Sequence, residues 1–167
     1  MQLMHWTQLE NDHPDDASSP HSVYAARRRA NPNTTRVLIA DDYADAAKSL
    51  AMLLAIAGIE TAIAMDGEEA LAVAESWHPD ICLIDLLMPK VDGLAVARRI
   101  REQDWSSRPL LIALTGRTTA QDRHSAAEAG FDHYMMKPAD PATLVRTIQS
   151  YTSGDRCPCT ACDTPYP

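Results

Sequence analysis

The sequence predicts an α/β fold in which helices cover both faces of a parallel β-sheet. Residues 37–40, 81–84 and 110–114 are apolar at every position, as expected for strands buried on both faces of such a sheet. Longer amphipathic stretches separate these runs, so predicted strands and helices alternate along the chain. The 167 residues, 46% of them hydrophobic, are enough for one domain with a substantial core.

Two weaker segments complete the predicted sheet. Residues 59–65 and 131–135 are suited to strands. Gly58 and Gly130 follow helical stretches, where glycine commonly ends a helix. Together the segments form five β–α units, so the sequence predicts a doubly wound α/β domain.

Two aspartates mark predicted helix starts. Asp66 stands three residues before Glu69, the spacing of a capping box. Asp140 precedes Pro141, which suits an N-cap followed by proline at the first helical position. We therefore expect helices to begin after both aspartates.

Composition divides the chain into three parts. Residues 1–35 are polar without a sustained period, and we expect a flexible N-terminal arm. Residues 36–152 form the predicted domain, and residues 153–167 are interpreted as a flexible C-terminal tail. The run Arg27-Arg28-Arg29 in the arm is interpreted as a solvated charge run rather than a contact for nucleic acid or membrane.

Charge and hydropathy exclude several functional classes. The formal net charge of −8 argues against nucleic-acid binding, which requires a basic face. The longest apolar run, residues 50–57, is far shorter than the ~18 residues of a membrane span. The first residues lack a signal-peptide pattern, so we expect a cytoplasmic protein with reduced thiols.

The four cysteines do not show the spacing of a disulfide framework. Cys157, Cys159 and Cys162 offer three thiols near the end of the chain, and a closed zinc site there would need an outside ligand. We prefer an exposed tail and leave zinc open. Cys82 lies within an apolar strand and is expected to be a core residue.

Polar residues stand where the predicted strands end. Asp41 and Asp42 follow the first strand, Asp85 the third, Thr115 the fourth and Lys137 the fifth. Ligand sites in open α/β sheets form beyond the carboxyl ends of the strands. Each residue alone is typical of a helix cap or a surface charge, but together they predict a site at one sheet edge.

The chemistry of this set points to a cation and a phosphoryl group. Neighbouring carboxylates repel each other unless a cation lies between them, and Mg²⁺ prefers such oxygen ligands. A carboxylate can act as a nucleophile toward phosphorus. A lysine ammonium and a threonine hydroxyl can stabilise the phosphoryl oxygens.

The motifs resemble the receiver domain of bacterial two-component response regulators. The resemblance covers nearly all of residues 36–152, with the motifs in order. It implies a (βα)5 flavodoxin-like fold with a five-stranded parallel sheet in the order 2-1-3-4-5. The segments that carry it are Asp41-Asp42, Asp85-Leu86-Leu87-Met88-Pro89 with Asp92-Gly93, Leu114-Thr115-Gly116, and Gly130-Phe131-Asp132 leading to Lys137-Pro138.

The resemblance also implies residue roles. Asp85 is expected to be the phosphoacceptor. Asp42, Asp85 and the backbone carbonyl of Leu87 are expected to bind Mg²⁺ directly, and Asp41 through water. Lys137 is expected to pair with Asp85 at rest and with the phosphoryl group afterwards.

Further residues are expected to transmit and modulate the modification. Thr115 would hydrogen-bond the phosphoryl group, and Tyr134 would be the switch aromatic that turns inward when Thr115 moves. Gly116 leaves space for this ring, with a simple turn glycine as the alternative. Leu87 and Arg117 stand at the family's variable positions, and the apolar Leu87 predicts a long-lived phosphoryl group. The Lys137–Pro138 bond is expected to be cis.

The resemblance implies a single-domain response regulator that is phosphorylated by a histidine kinase or a His-containing phosphotransfer protein. It would catalyse only its own phosphorylation and dephosphorylation, and is not expected to be a turnover enzyme. The output would be a switched contact with an unknown protein or a change of self-association, with a homodimer possible. Neither nucleic acid nor membrane is an expected partner.

Other interpretations fit less well. A flavodoxin needs a loop rich in serine, threonine or glycine after its first strand, where Asp41-Asp42 repels phosphate. A haloacid-dehalogenase-type phosphohydrolase needs an Asp-x-Asp-x-Thr/Val pattern, which residues 41–45 lack. A degenerate receiver that serves as an unphosphorylated scaffold is the main alternative, although it would normally have lost its acceptor or a metal ligand.

Overall fold

The computed structural model describes residues 34–105, 107–116 and 119–152. Strands and helices alternate from the first element to the last. They are β1 (Arg36–Ala40), α1 (Ala44–Ile56), β2 (Glu60–Ala64), α2 (Gly67–Trp77), β3 (Ile81–Asp85), α3 (Gly93–Glu102), β4 (Leu110–Thr115), α4 (Ala120–Glu128), β5 (His133–Met136) and α5 (Pro141–Thr152). The expectations for Arg117, for the Arg27-Arg28-Arg29 run and for the three tail cysteines lie outside the described residues.

The five strands form one parallel sheet in the order β2-β1-β3-β4-β5. This confirms both the predicted fold class and the predicted strand order. The chain first places β2 on one side of β1 and then β3 on the other side, so the order in which strands are added reverses between β1 and β3, which are hydrogen-bonded neighbours. The crevice at such a reversal is where open α/β sheets place their ligand sites.

The core lies in two layers, one on each face of the sheet. Leu38, Ile84 and Leu111 belong to the layer beneath α2 and α3, while Ile39 and Leu83 belong to the layer beneath α1 and α5. Because side chains alternate between faces along a strand, a strand covered on both sides is apolar throughout. This accounts for the continuous apolar runs of β1, β3 and β4, whose residues are all buried.

Cys82 lies in the layer beneath α2 and α3 and is fully buried. Burial raises the pKa of its thiol to about 12, since the low-dielectric interior disfavours the thiolate. Cys82 is therefore an unreactive core residue, as predicted.

The second and fifth strands begin one or two residues later than predicted because the preceding helices use those residues to end. The N–H of Gly58 donates to Ala55 and that of Ile59 to Leu54, at 3.0 and 3.1 Å, and the φ of Gly58 is 76°. These bonds form a Schellman motif. Phe131 likewise donates to Ala126 at the end of α4, after Gly130 with a φ of 94°.

The predicted helix starts are correct, with one difference in the capping bonds. Asp66 is the N-cap of α2 and accepts from the N–H groups of Glu68 and Glu69. The Glu69 carboxylate, however, accepts from the N–H of Met65 at 2.8 Å rather than from Asp66, as a capping box requires. Since β2 ends at Ala64, the N–H of Met65 has left the strand and Glu69 supplies its partner.

The start of α5 follows the prediction. The carboxylate of Asp140 accepts from the backbone N–H of Thr143 at 2.8 Å and from the Thr143 hydroxyl at 2.6 Å. Pro141 occupies the first helical position, where its missing N–H costs nothing.

Arg101, near the end of α3, joins the edges of three elements opposite the predicted site. Its guanidinium donates to the carbonyls of Gly130 and Pro109 at 2.9 and 2.7 Å and to the carboxylate of Asp132 at 2.5 Å. The same carboxylate accepts from the N–H of Leu111 at 2.8 Å. We call these residues the Arg101 cluster.

Among the helices of the described ranges, none is long and apolar enough to cross a membrane.

Candidate functional site

Three aspartates meet at the carboxyl ends of β1 and β3. Asp41 and Asp42 follow β1 directly, and Asp85 is the last residue of β3. Because the two strands are adjacent and parallel, their ends lie side by side. A carboxylate oxygen of each residue lies within 4.8 Å of those of the other two. Asp41 and Asp85 are buried, whereas Asp42 is exposed.

Backbone N–H groups hold the two buried carboxylates. Asp41 accepts from the N–H of Tyr43 at 3.0 Å, and Asp85 accepts from the N–H of Leu87 at 3.0 Å. Each carboxylate thus uses one oxygen to bond the chain two residues further on, an Asx-type turn. The second oxygen of each faces Lys137.

Lys137 lies between the two buried carboxylates. Its ammonium donates to Asp41 at 2.6 Å and to Asp85 at 2.7 Å. The peptide bond to Pro138 is cis, as expected, and the N–H of Lys137 donates to the carbonyl of Thr115 at 2.8 Å. The expected contact with Asp85 is therefore present, and the contact with Asp41 was not foreseen.

Charge pairing affects the pKa of Lys137 more strongly than desolvation does. Burial alone would lower the pKa of this ammonium, but its hydrogen bonds to Asp41 and Asp85 and their negative charges raise the pKa overall. Lys137 therefore carries its positive charge at neutral pH. This charge partly offsets the repulsion within the aspartate cluster.

Thr115 and Tyr134 lie on the neighbouring strands β4 and β5. Thr115 is fully buried, and its side chain is hydrogen-bonded to the Tyr134 hydroxyl. Burial is the main cause that raises the pKa of Tyr134. The guanidinium carbon of Arg123, on α4, lies 5.8 Å from the centre of the Tyr134 ring, a cation–π distance. The ring thus lies between the strand end and α4.

The glycines near the site differ in how much space surrounds them. A Cβ on Gly93 would lie 2.2 Å from the carbonyl oxygen of Asp85, so the start of α3 packs directly against the end of β3. A Cβ on Gly116 would meet nothing within 4 Å. Among the described residues, Gly116 therefore has open space beside it, and the use of this space by the Tyr134 ring stays a prediction.

The donor set fits a hard divalent cation. Three carboxylates supply oxygen atoms, and oxygen ligands are those that Mg²⁺ takes, commonly one or two carboxylates plus waters. The exposed position of Asp42 leaves room for water on that side. Leu87, two residues after Asp85, is 54% exposed, and its side chain has no polar group.

Two side-chain contacts were not predicted from the sequence, those of Lys90 and Arg123. Lys90, in the loop after β3, pairs with Asp66 at the start of α2 at 2.7 Å. Arg123 lies against the ring of Tyr134. Each contact joins residues that are distant in sequence. The expected Asp66 cap was the nearest available signal for the first contact, whereas nothing in the sequence distinguished Arg123 from other surface arginines.

Comparison with known proteins places these observations in a family. The family model described as the response regulator receiver domain matches residues 37–149. Transcriptional regulatory protein TrcR of Mycobacterium tuberculosis is 36% identical over 121 residues, which are 72% of this chain and 46% of that protein. An uncharacterized 14.6 kDa protein of Leptolyngbya boryana is 34% identical over 69% of this chain and 88% of its own length.

Solved structures agree with the sequence comparisons. The chemotaxis response regulator CheY4 of Vibrio cholerae has a TM-score of 0.66 and 29% identity, with 71% of this chain and 98% of that chain covered. A response regulator structure from Chloroflexus aurantiacus has a TM-score of 0.67 and 30% identity, with 72% and 98% covered. The chain spans about half the length of the curated transcriptional regulators that it matches.

Proposed function

Because the chain belongs to the response regulator receiver domain family, we propose that it accepts a phosphoryl group on Asp85 from a histidine kinase or a His-containing phosphotransfer protein. Receiver domains are the phosphoacceptors of two-component signalling. The observation that carries the proposal is the position of Lys137, whose ammonium bonds both Asp41 and Asp85 within the cluster of three aspartates.

The proposed reaction is an in-line phosphoryl transfer. The carboxylate oxygen of Asp85 that accepts from Lys137 at rest attacks the phosphorus of a phosphohistidine, and the P–N bond breaks as the P–O bond forms. The electron pair of the broken bond stays on the imidazole nitrogen of the donor. Lys137 turns from the Asp85 carboxylate to an oxygen of the new phosphoryl group, and the Thr115 hydroxyl donates to another.

The proposed metal is Mg²⁺. Asp42, Asp85 and the backbone carbonyl of Leu87 would hold it directly, and Asp41 would hold it through water. The ion would neutralise charge on the phosphoryl oxygens, and Lys137 would share this role. Without such an ion, the aspartates would repel a phosphoryl donor.

The proposed output is a changed protein surface. When Thr115 turns to the phosphoryl group, its bond with Tyr134 is exchanged, and the ring and α4 adjust together. This reshapes the face made by α4, β5 and α5, for which we propose a partner protein or a second copy of the chain. One relative of this chain is named the DNA-binding response regulator MtrA, and the similarity to this chain covers half of the length of that protein.

We propose that the chain acts in the cytoplasm, where its phosphoryl donors are phosphorylated from ATP. It would catalyse only its own phosphorylation and dephosphorylation. The proposed modulators of the phosphoryl lifetime are Leu87, Gly116 and Arg117. The competing proposal, an unphosphorylated scaffold, is less well supported because all the acceptor and ligand side chains are present.

Phosphotransfer profiling tests the assignment of the acceptor. The chain is incubated with each radiolabelled histidine kinase of the host, and Asp85→Asn is the matched control. We expect rapid labelling of the wild-type chain by a small number of kinases and none of Asp85→Asn. Labelling that survives this substitution would exclude Asp85 as the acceptor.

A second measurement separates the receiver from the scaffold. Beryllium trifluoride mimics an aspartyl phosphate, and its binding with Mg²⁺ is followed by backbone amide signals. We expect changes at Asp85, Thr115 and Lys137 that require both components. If no signal moves, the scaffold is the better explanation.

A further inference from the structure

The loop between β3 and α3 contains a strained turn close to the proposed metal site. The N–H of Val91 donates to the carbonyl of Pro89 at 2.8 Å, and the φ of Lys90 between them is 64°. A three-residue turn with positive φ at its centre is a rare γ-turn. A lysine in this conformation carries a steric cost that glycine would not, so another interaction must hold it there.

The side chain of Lys90 supplies that interaction. Its ammonium lies 2.7 Å from a carboxylate oxygen of Asp66 and 3.6 Å from that of Glu68, both in the first turn of α2 or directly before it. The other oxygen of Asp66 caps α2. The hydrogen bond from Lys90 is the main cause that lowers the pKa of the Asp66 carboxyl. One aspartate thus fixes a helix start and the γ-turn together.

The backbone is close-packed on both sides of the loop. A Cβ on Gly67 would lie 2.0 Å from the carbonyl oxygen of Val91, so the first residue of α2 touches the loop directly. On the other side, the N–H of Gly93 donates to the carbonyl of Leu86 at 3.1 Å. The loop therefore lies between the end of β3 and the start of α2, with Leu87 inside it.

We propose that Lys90 is a positioning residue for the metal site, acting by pinning the loop that carries Leu87 to Asp66. The inference rests on the proposed function, because it requires the Leu87 carbonyl to be a metal ligand. Lys90 itself does not touch the proposed ligands. It determines where the loop stands relative to Asp85.

Electrostatics alone makes the opposite prediction. Lys90 is a cation on the side of the molecule that carries the aspartate cluster, so removing its charge would strengthen the binding of a divalent cation if nothing moved. Loss of positioning would weaken that binding. The direction of the change therefore distinguishes the two effects.

The metal-free protein provides the first readout. Amide hydrogen exchange at Val91 and Gly93 reports the opening of the loop. We expect it to be about two- to five-fold faster in Lys90→Ala and Lys90→Gly, the range for a partly exposed ion pair, and unchanged in Lys90→Arg. The glycine variant relieves the backbone cost, so faster exchange in it would be due to the lost side chain.

Calorimetric titration with MgCl2 provides the second readout. We expect the Kd for Mg²⁺ to rise by about two- to five-fold in Lys90→Ala and Lys90→Gly, and to stay at the wild-type value in Lys90→Arg. Lys48→Ala removes one positive charge from an exposed position on α1 and controls for net charge. A Kd in Lys90→Ala that is unchanged or lower than in the wild-type chain would overturn the proposal. A wild-type chain that binds no Mg²⁺ would instead refute the metal site of the proposed function.

Discussion

Lys137 compensates the negative charges of two buried carboxylates. Asp41 and Asp85 are almost fully covered, and burying a carboxylate is costly unless it is paired and hydrogen-bonded. Each receives one backbone N–H and one bond from the ammonium of Lys137. The site is thus stable at rest, while the ammonium stays within reach of any group that joins Asp85.

Leu87 gives a prediction about the lifetime of the proposed phosphoryl group. Leu87 is exposed, and its apolar side chain cannot orient an attacking water. We expect Leu87→Asn to shorten the half-life of the aspartyl phosphate several-fold, because an amide can hold the water in line. The measurement is loss of radiolabel from the isolated phosphoprotein, with Leu87→Met as the apolar control.

The same half-life measurement also tests Arg117. A guanidinium can pair with phosphoryl oxygens, so we expect Arg117→Ala to change the half-life as well. An unchanged half-life in both Leu87→Asn and Arg117→Ala would remove the basis for a long-lived modification.

At the scale of elements, side chains and glycines determine where helices and strands begin and end. The bond from Ile59 to Leu54 and the bond from Phe131 to Ala126 extend the helix ends into segments that are apolar enough for strands. Hydrophobic pattern alone does not distinguish the last residue of a helix ending from the first residue of a strand. The bounds of β2 and β5 were for that reason the least accurate part of the predicted fold.

Asp140 predicts a pH dependence for α5. The bonds from Thr143 to the charged carboxylate lower its pKa below the usual 3.8. Its contribution to stability is therefore complete above that value and is lost as the pH falls through the lower folded-state value. We expect Asp140→Ala to lower the Tm at neutral pH, and the difference from wild type to shrink as the pH falls below 3.8.

The control for this effect is Asp140→Asn. An asparagine caps a helix without a charge, so its difference from wild type should also diminish in acid while its own cap persists. Thermal unfolding followed by circular dichroism over a pH series measures all three proteins. A constant difference between Asp140→Ala and wild type across the series would contradict the assignment.

The Arg101 cluster predicts that substituting Arg101 alone greatly lowers the free energy of unfolding. Arg101→Met removes three hydrogen bonds from a guanidinium whose side chain is 14% exposed. We expect a loss of about 1.5–3 kcal/mol in the free energy of unfolding, the range for hydrogen bonds to charged groups. Arg98→Met, on an exposed position of the same helix, should cost about 0.5 kcal/mol or less. Urea denaturation compares them, and equal costs would refute the role of the cluster.

At the scale of the whole molecule, the site is linked to a distant face through two neighbouring strands. Thr115 ends β4, its side chain is bonded to Tyr134 on β5, and Arg123 of α4 lies against the Tyr134 ring. We therefore expect a change at Asp85 that draws on the Thr115 hydroxyl to alter the contacts of α4. This continuity is what the proposed switch requires.

Thr115→Val tests this link. In the wild-type chain, beryllium trifluoride with Mg²⁺ should shift amide signals near Asp85 and also along β5 and α4. In Thr115→Val we expect the shifts near Asp85 to remain and those of α4 to shrink, because valine has the same shape without the hydroxyl. Shifts in α4 of wild-type size would show that the signal travels by another route.

The sequence by itself determined the fold class and the identity of the residues at the sheet edge. Continuous apolar runs require strands buried on both faces, and parallel strands must bring their carboxyl ends together. From these two facts the convergence of Asp41, Asp42, Asp85, Thr115 and Lys137 could be predicted. The strand order and the residue roles were expected from the resemblance to receiver domains.

Only the tertiary structure decided how these side chains are paired. The sharing of Lys137 between Asp41 and Asp85, the bond between Thr115 and Tyr134, and the link from Lys90 to Asp66 all depend on distances between separate elements. Such contacts have no local periodicity, since each depends on where two elements pack in space. The sequence specifies which groups are available at the edge, and the packing of the elements specifies which of them touch.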